Sequence, residues 1–204
     1  MPRKIIIDTD PGQDDAVAIL AALASPEDLE VLGIVAVAGN VPLRLSLLNS
    51  LKLVELAGRP EVPVHAGCER PLQRELITAE YVHGKTGLDG PTLPDPQIAA
   101  QAKHGVDFII ETIRSHPAQA VTLCPLGPLT NIATAFTRAP DIAPRVREIV
   151  LMGGGFFEGG NITPAAEFNI YVDPHAADIV FRSGVPITMV PLDLSHAMLS
   201  SGAR

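Results

Sequence analysis

Lys4-Ile5-Ile6-Ile7-Asp8-Thr9-Asp10-Pro11-Gly12-Gln13-Asp14-Asp15, followed by the apolar run Ala16 to Ala24, decides the fold class. A short β-branched run ends in a Pro-Gly turn, and the turn opens into a segment with apolar residues at helical spacing. That is a strand-turn-helix unit. The same alternation recurs outward along the chain. Strands are predicted over Lys4 to Ile7, Leu29 to Val37, Val62 to His65, Ala120 to Cys124, Glu148 to Leu151 and Ile187 to Val190. Helices are predicted over Asp14 to Ala24, Leu43 to Leu56, Ala99 to Arg114, Pro128 to Phe136 and Pro174 to Phe181. The strands read as continuous apolar runs rather than alternating ones, so both of their faces are buried. The fold class is α/β, with a mostly parallel, Rossmann-like sheet flanked by helices.

The chain has 204 residues, 47% hydrophobic and 19% charged, which suffices for one sizeable core. With no internal repeat and no linker-like shift in composition, residues 1–204 are expected to form a single domain. The net charge of -8 and pI near 5.1 argue against nucleic acid, which requires a basic face. Cys68 and Cys124 form no CxxC pair, and MPRKIIIDTD lacks the apolar stretch of a signal peptide, so a cytoplasmic location is expected. The apolar runs are shorter than the roughly 18 residues of a membrane span, so a soluble protein with no membrane partner is expected. The connection from Gly67 to Pro96 is long for a compact domain and reads as a functional lid.

Chemistry is expected in the loops that follow strands, where α/β sheets bind ligands. Asp8, Asp10, Asp14 and Asp15 put four carboxylates in eight residues. Like charges this close raise one another's pKa unless a cation, hydroxyl donors or helix amides offset them. One of them could simply cap the first helical turn. Four imply a metal, and donors that are all oxygen suit calcium or magnesium rather than zinc.

DTDPGQDDA, residues 8–16, resembles the N-terminal signature of the inosine-uridine-type nucleoside hydrolases, and later motifs agree in order and spacing along essentially the whole chain. The resemblance implies a nucleoside hydrolase-like fold, calcium as the cofactor, and hydrolysis of the N-glycosidic bond of purine or pyrimidine ribonucleosides, as in nucleoside salvage. It implies Asp10 and Asp15 as calcium ligands together with the Leu126 carbonyl in CPLGPLTN. Asp10 would also be the general base on a calcium-bound water, and Asp8 a supporting residue. For the ribose it implies Asp14, Asn40 after the strand ending VAVAGN, Met152 of MGGG, and Asn161, Glu167 and Asn169 of NITPAAEFN. His83 of VHGKTG resembles a family histidine near the substrate, while His65, His104, His116, His175 and His196 look structural. The family also suggests a homo-oligomer, dimer or tetramer.

Several of these stretches have plainer readings. Gly39-Asn40 alone would be an ordinary turn. MGGG lacks the GK[ST] ending and the GxGxxG spacing of phosphate loops. In the family, a later histidine-aspartate pair adds a leaving-group contact and a further calcium carboxylate, C-terminal to the region resembling VPLDL. The ending LSHAMLSSGAR reads as the opening of a helix, so the C-terminal part of the fold is expected to be missing, and Asp193 and His196 are not expected to substitute for that pair. Two rival functions remain at this level. Asp8-Thr9-Asp10 superficially fits a magnesium-dependent phosphatase of the haloacid-dehalogenase type, although the following residues depart from it. The other rival is a non-catalytic calcium- and ribose-binding remnant.

Overall fold

The computed structural model describes residues 1–90 and 92–198. In chain order the elements are β1 (Arg3–Thr9), α1 (Gln13–Leu23), β2 (Leu29–Ala36), α2 (Leu43–Leu56), β3 (Val64–Ala66), α3 (Glu80–His83), α4 (Gly105–Ser115), β4 (Val121–Pro125) and α5 (Thr130–Arg138). A 3-10 turn (Pro140–Arg145), β5 (Glu148–Met152), α6 (Phe168–Val172), α7 (Pro174–Phe181), β6 (Ile187–Val190) and α8 (Leu192–Ser195) complete them. The six strands form one parallel sheet in the order β3-β2-β1-β4-β5-β6.

Side chains alternate across a strand, and β1 uses both faces. Ile5 and Ile7 pack with Ile19, Leu23, Leu51, Leu53 and Val54 of α1 and α2. Ile6 packs on the opposite face with Val106, Ile109 and Ile113 of α4, Ile132 and Phe136 of α5, and Val180 of α7. This double burial is why the strands read as unbroken apolar runs. Burial is most complete in the central strand β1, whose residues Ile5–Thr9 are all buried.

The expected elements are present, with edges displaced for identifiable reasons. The third strand runs Val64–Ala66 rather than starting at Val62. The helix expected from Ala99 begins only at Gly105, because Gln101 bridges to β3, its N–H donating to the Val64 carbonyl, residues 102–103 bend, and the His104 ring caps the helix through Val106 N–H. The helix expected from Pro128 spans Thr130–Arg138. At the end of the chain, α8 closes at Ser195 and residues 196–198 form a turn, while the rest of the expected helix, 199–204, lies outside the described residues.

Candidate active site

Strand order reverses direction at β1: the chain leaves β1 for β2 and β3 on one side, then returns to β4, β5 and β6 on the other. The helices after β1 and β4 lie on opposite faces, so a crevice opens beyond the carboxyl ends of these two strands. The segments reaching it are 8–15 after β1 and 126–131 after β4.

Strand parity sorts the carboxylates. Asp8 shares the face of Ile6 and points to α5, where Asn131 Nδ2 donates to its Oδ2 at 2.8 Å. Thr9 points to the α1 face, where its hydroxyl donates to Asp15 Oδ1 at 2.7 Å. Gly12 N–H donates to Asp15 Oδ2 at 3.1 Å, so Asp15 is the capping carboxylate of α1 as well as a site residue. Asp10 is fully buried past the strand end. Asn40 N–H donates to its Oδ2 at 2.6 Å, and Asn40 Nδ2 donates to its backbone carbonyl at 3.1 Å. Its carboxylate is held between two glycines: a Cβ on Gly39 or on Gly127 would each lie 2.8 Å from Asp10 Cγ.

Burial, and then the neighbouring Asp15 charge, push the Asp10 carboxyl well above the usual range. Burial, and then Asp14, raise Asp15 to about 7; burial raises Asp8 to about 7 against the Asn131 hydrogen bond. Buried carboxylates with these shifts lack a counter-charge. Among the described residues, Oδ1 of Asp10 has no hydrogen-bond partner, and neither has Oδ1 of Asp8. Among the described residues no three His, Cys, Asp or Glu side chains converge as a metal cluster. The donor chemistry nevertheless fits a hard cation: two buried carboxylates and a peptide carbonyl, all oxygen, with one carboxylate oxygen unpartnered. Three such donors are fewer than the roughly six to eight that calcium takes, so water or other ligands must supply the rest.

Beside this acidic floor lies a cavity of about 260 Å³. It is lined by Asp14, Asp15, Asn40, His83, Leu126, Met152, Asn161, Glu167 and Asn169, so nine of the ten sequence-predicted site residues converge on it; Asp10 is buried apart from the lining. The hydrogen bonds already made decide what each side chain still offers. Both Asn169 amide hydrogens are taken, by the Leu126 carbonyl at 2.7 Å and the Met152 carbonyl at 3.2 Å, which leaves Oδ1 as an acceptor. Glu167 caps α6: Oε1 accepts from Asn169 N–H, and Oε2 accepts from Gly154 and Ile170 N–H, leaving one carboxylate lone pair. Burial raises the Glu167 carboxyl despite these amides. Asn161 Oδ1 accepts from Phe168 N–H, which leaves its amide hydrogens. With exposed Asp14, the cavity presents mostly acceptors, the complement of a polyol.

The long connection expected to be a lid does form one wall. Ala79 N–H donates to the Asn40 carbonyl, and Tyr81, Val82 and His83 of α3 line the cavity. Its first stem is pinned by Cys68 N–H to Asn131 Oδ1, by Leu72 N–H to Asp173 and by Arg74 to the Tyr171 carbonyl. Of the other histidines, His65 stacks on Phe108 at 4.1 Å, His104 caps α4, His116 bonds the Thr112 carbonyl and His175 is exposed on α7. Asp193 lies outside the cavity lining, accepting from Phe156 and Phe157 N–H at 2.7 Å each, and His196 pairs with Glu158. Sequence reasoning missed Gly39, Gly127, Thr9, Asn131 and the Tyr81-Val82 wall. The two glycines carried a signal, since each adjoins a predicted site residue.

An open parallel sheet with an oxygen-lined cavity at its switch point defines a ligand-binding α/β protein. Residues 5–203 match the family model described as inosine-uridine preferring nucleoside hydrolase. The chain is 55% identical over 201 residues to an uncharacterised protein of Schizosaccharomyces pombe, covering 98% of this chain and 64% of that protein. It is 52% identical over 196 residues to the pyrimidine-specific ribonucleoside hydrolase RihA of Photobacterium profundum, covering 96% and 62%. Among solved structures, the plant nucleoside hydrolase PpNRh1 superposes with a TM-score of 0.92 at 42% identity, covering 100% of this chain and 64% of that one. The purine-preferring ribonucleoside hydrolase from Gardnerella vaginalis superposes with a TM-score of 0.93 at 38% identity, covering 98% and 64%. The chain therefore belongs to the inosine-uridine preferring nucleoside hydrolase family. It spans a little under two thirds of the length of these relatives.

Proposed function

We propose that this chain, acting as one domain, hydrolyses the N-glycosidic bond of ribonucleosides to free base and ribose. The observation that carries the reading is the convergence of acceptor-rich side chains on one cavity beside the buried, unpartnered Asp10 carboxylate oxygen. Asp14, the Asn169 Oδ1 and the remaining Glu167 lone pair accept from sugar hydroxyls, while Asn161 and Asn40 supply donors. Met152 packs against the sugar, and His83 faces the substrate from the lid wall. At about 260 Å³ the cavity falls below the roughly 300–1,000 Å³ of drug-sized ligand sites, which restricts it to a nucleoside-sized molecule at most.

The cation we propose is calcium, held by Asp10, Asp15 and the Leu126 carbonyl. When bound, such an ion supplies positive charge that offsets the carboxylate repulsion and acidifies water. Asp10 acts as general base in this reading: Asn40 N–H occupies its Oδ2, which leaves the unpartnered Oδ1 to take a proton. Asn169 donates to the Leu126 carbonyl, and Leu126 N–H donates to the Asp8 carbonyl at 2.7 Å, so residue 126 is anchored through both of its backbone polar groups. A site whose buried polar groups are each matched to a hydroxyl rejects sugars that lack it. We further propose a homo-oligomer, on the family resemblance, and a cytoplasmic location, on the two free cysteines. Among the described residues no helix is long and apolar enough to cross a membrane.

The test is release of free base from inosine and from uridine, with calcium and after chelation, beside an Asp10→Asn control. Calcium-dependent release that the control lacks supports the reading. Calcium and ribose binding by the parent without release would replace the hydrolase with a binding module. Relatives named for pyrimidine specificity and for purine preference make both substrates necessary.

A further inference from the structure

Helix α3 is the thinnest part of the cavity wall. None of its four residues is buried, and Tyr81 and Val82 are 68% and 62% exposed. Burial of the helix's own side chains therefore does not hold it against the Asp10 turn. Beside Ala79 N–H to the Asn40 carbonyl, the side-chain contacts between residues 83–89 and that turn come from Gln13 and Asn49, and Gln13 is the one that reaches His83. Gln13, the first residue of α1, donates through Nε2 to the His83 carbonyl at 3.2 Å and to the Asp89 carbonyl at 3.1 Å. Its Oε1 lies 2.8 Å from His83 Nδ1. These contacts join positions 70 and 76 residues apart in sequence.

The segment that Gln13 grips is itself preorganised. The Asp89 carboxylate accepts from Lys85 N–H at 3.0 Å, from Thr86 N–H at 3.1 Å and from the Thr86 hydroxyl. Gly84 and Gly87, at φ of +79° and +85°, supply the left-handed residues that close the loop. On the far side, Asn49 Nδ2 bonds both the Thr86 carbonyl and the Pro11 carbonyl. Gly12 leaves room for the imidazole, since a Cβ there would lie 2.5 Å from His83 Nδ1.

From this geometry we infer that Gln13 is a positioning residue: it clasps residues 83–89 to the turn carrying Asp10, and it fixes the His83 ring with the proton on Nδ1 and Nε2 left free. Two carbonyls at one end of the Gln13 amide make that end the NH2, so the other end is the oxygen and can only accept. A neutral His83 ring must then donate from Nδ1. Nε2 is left as an acceptor, the group that can take a hydrogen bond from a ligand N–H or O–H.

That a nucleoside meets this ring rests on the proposed function, but the test needs no turnover. The full chain and its Gln13→Ala and Gln13→Glu variants, with 15N-labelled histidine, are compared by ring 15N shifts at a pH where imidazole is neutral, and by amide hydrogen exchange. His83→Asn identifies the resonance. Gln13→Glu keeps the acceptor and loses both donors, whereas Gln13→Ala loses all three contacts. The expected result is an Nδ1-protonated His83 ring in the parent and in Gln13→Glu, shifting toward Nε2–H in Gln13→Ala. Exchange at Lys85, Thr86 and Asp89 should be roughly tenfold faster or more in both variants, with α5 unchanged. A His83 ring still protonated on Nδ1 in Gln13→Ala, or unchanged exchange at these amides, overturns the assignment. Absence of base release from the parent would instead sink the hydrolase reading and leave both readouts intact.

Discussion

Placing a methyl group on Gly127 tests the cradle around Asp10. Gly127 is buried and is not among the positive-φ glycines, so alanine there adds no backbone penalty and the effect is steric. The new Cβ would lie 2.8 Å from Asp10 Cγ, against a relaxed carbon–carbon separation of about 3.5–4.0 Å, so one group must move by about 1 Å. Overpacking of this kind costs roughly 1–3 kcal/mol. For a chain of this size that lowers the melting temperature by about 2–12 °C. On the proposed role of Asp10 as general base, a displacement near 1 Å there should also reduce base release by about 100-fold. The decisive assay is a double-mutant cycle in thermal unfolding under chelation. With Asp10→Ala, the nearest remaining atom is the residue-10 backbone nitrogen, at 3.2 Å, so Gly127→Ala should then cost less than about 0.5 kcal/mol. Additive effects of the two substitutions would refute the cradle.

Two further outcomes follow from the same site. Because burial raises Asp8 and Asp15 to about 7, both stay protonated in the folded protein while the unfolded chain ionises near pH 4. Their contribution to stability is fully present below pH 4 and is lost as pH rises through about 7, so the stabilisation gained on adding calcium should grow across that window. Melts from pH 4 to 8 with and without chelator check this, and a calcium increment that shrinks with pH would contradict it. Glu167→Ala removes the acceptor for three backbone amides and should cost roughly 1–2 kcal/mol, with Glu167→Gln intermediate, by denaturant unfolding. An alanine variant as stable as the parent would show that the cap is not carried by this carboxylate.

The α/β class was legible because β1 buries both faces, which forces an apolar residue at nearly every position from Ile5 to Ile7. The acidic turn was legible because four carboxylates in eight residues have few physical explanations. Boundaries were less so: nothing local distinguishes residues 99–104 from the first turns of α4, and what keeps them out of the helix is the bridge of Gln101 to β3, across sequence. The roles of Asn40, Leu126 and Asn161 came from family resemblance, since an asparagine in a turn or a peptide carbonyl carries no signature of its own.

What the sequence determined by itself was the order of strands and helices, the crowding of four carboxylates after β1 and the polar NITPAAEFN segment, because composition and period are local properties. Only the tertiary structure decided that Asp8 turns toward Asn131 while Asp15 caps α1, that Gly39 and Gly127 close on Asp10, and that Gln13 reaches His83. Each of those depends on which face of the sheet a loop leaves and which distant backbone it meets. Such distances are fixed by packing two helical layers onto one sheet.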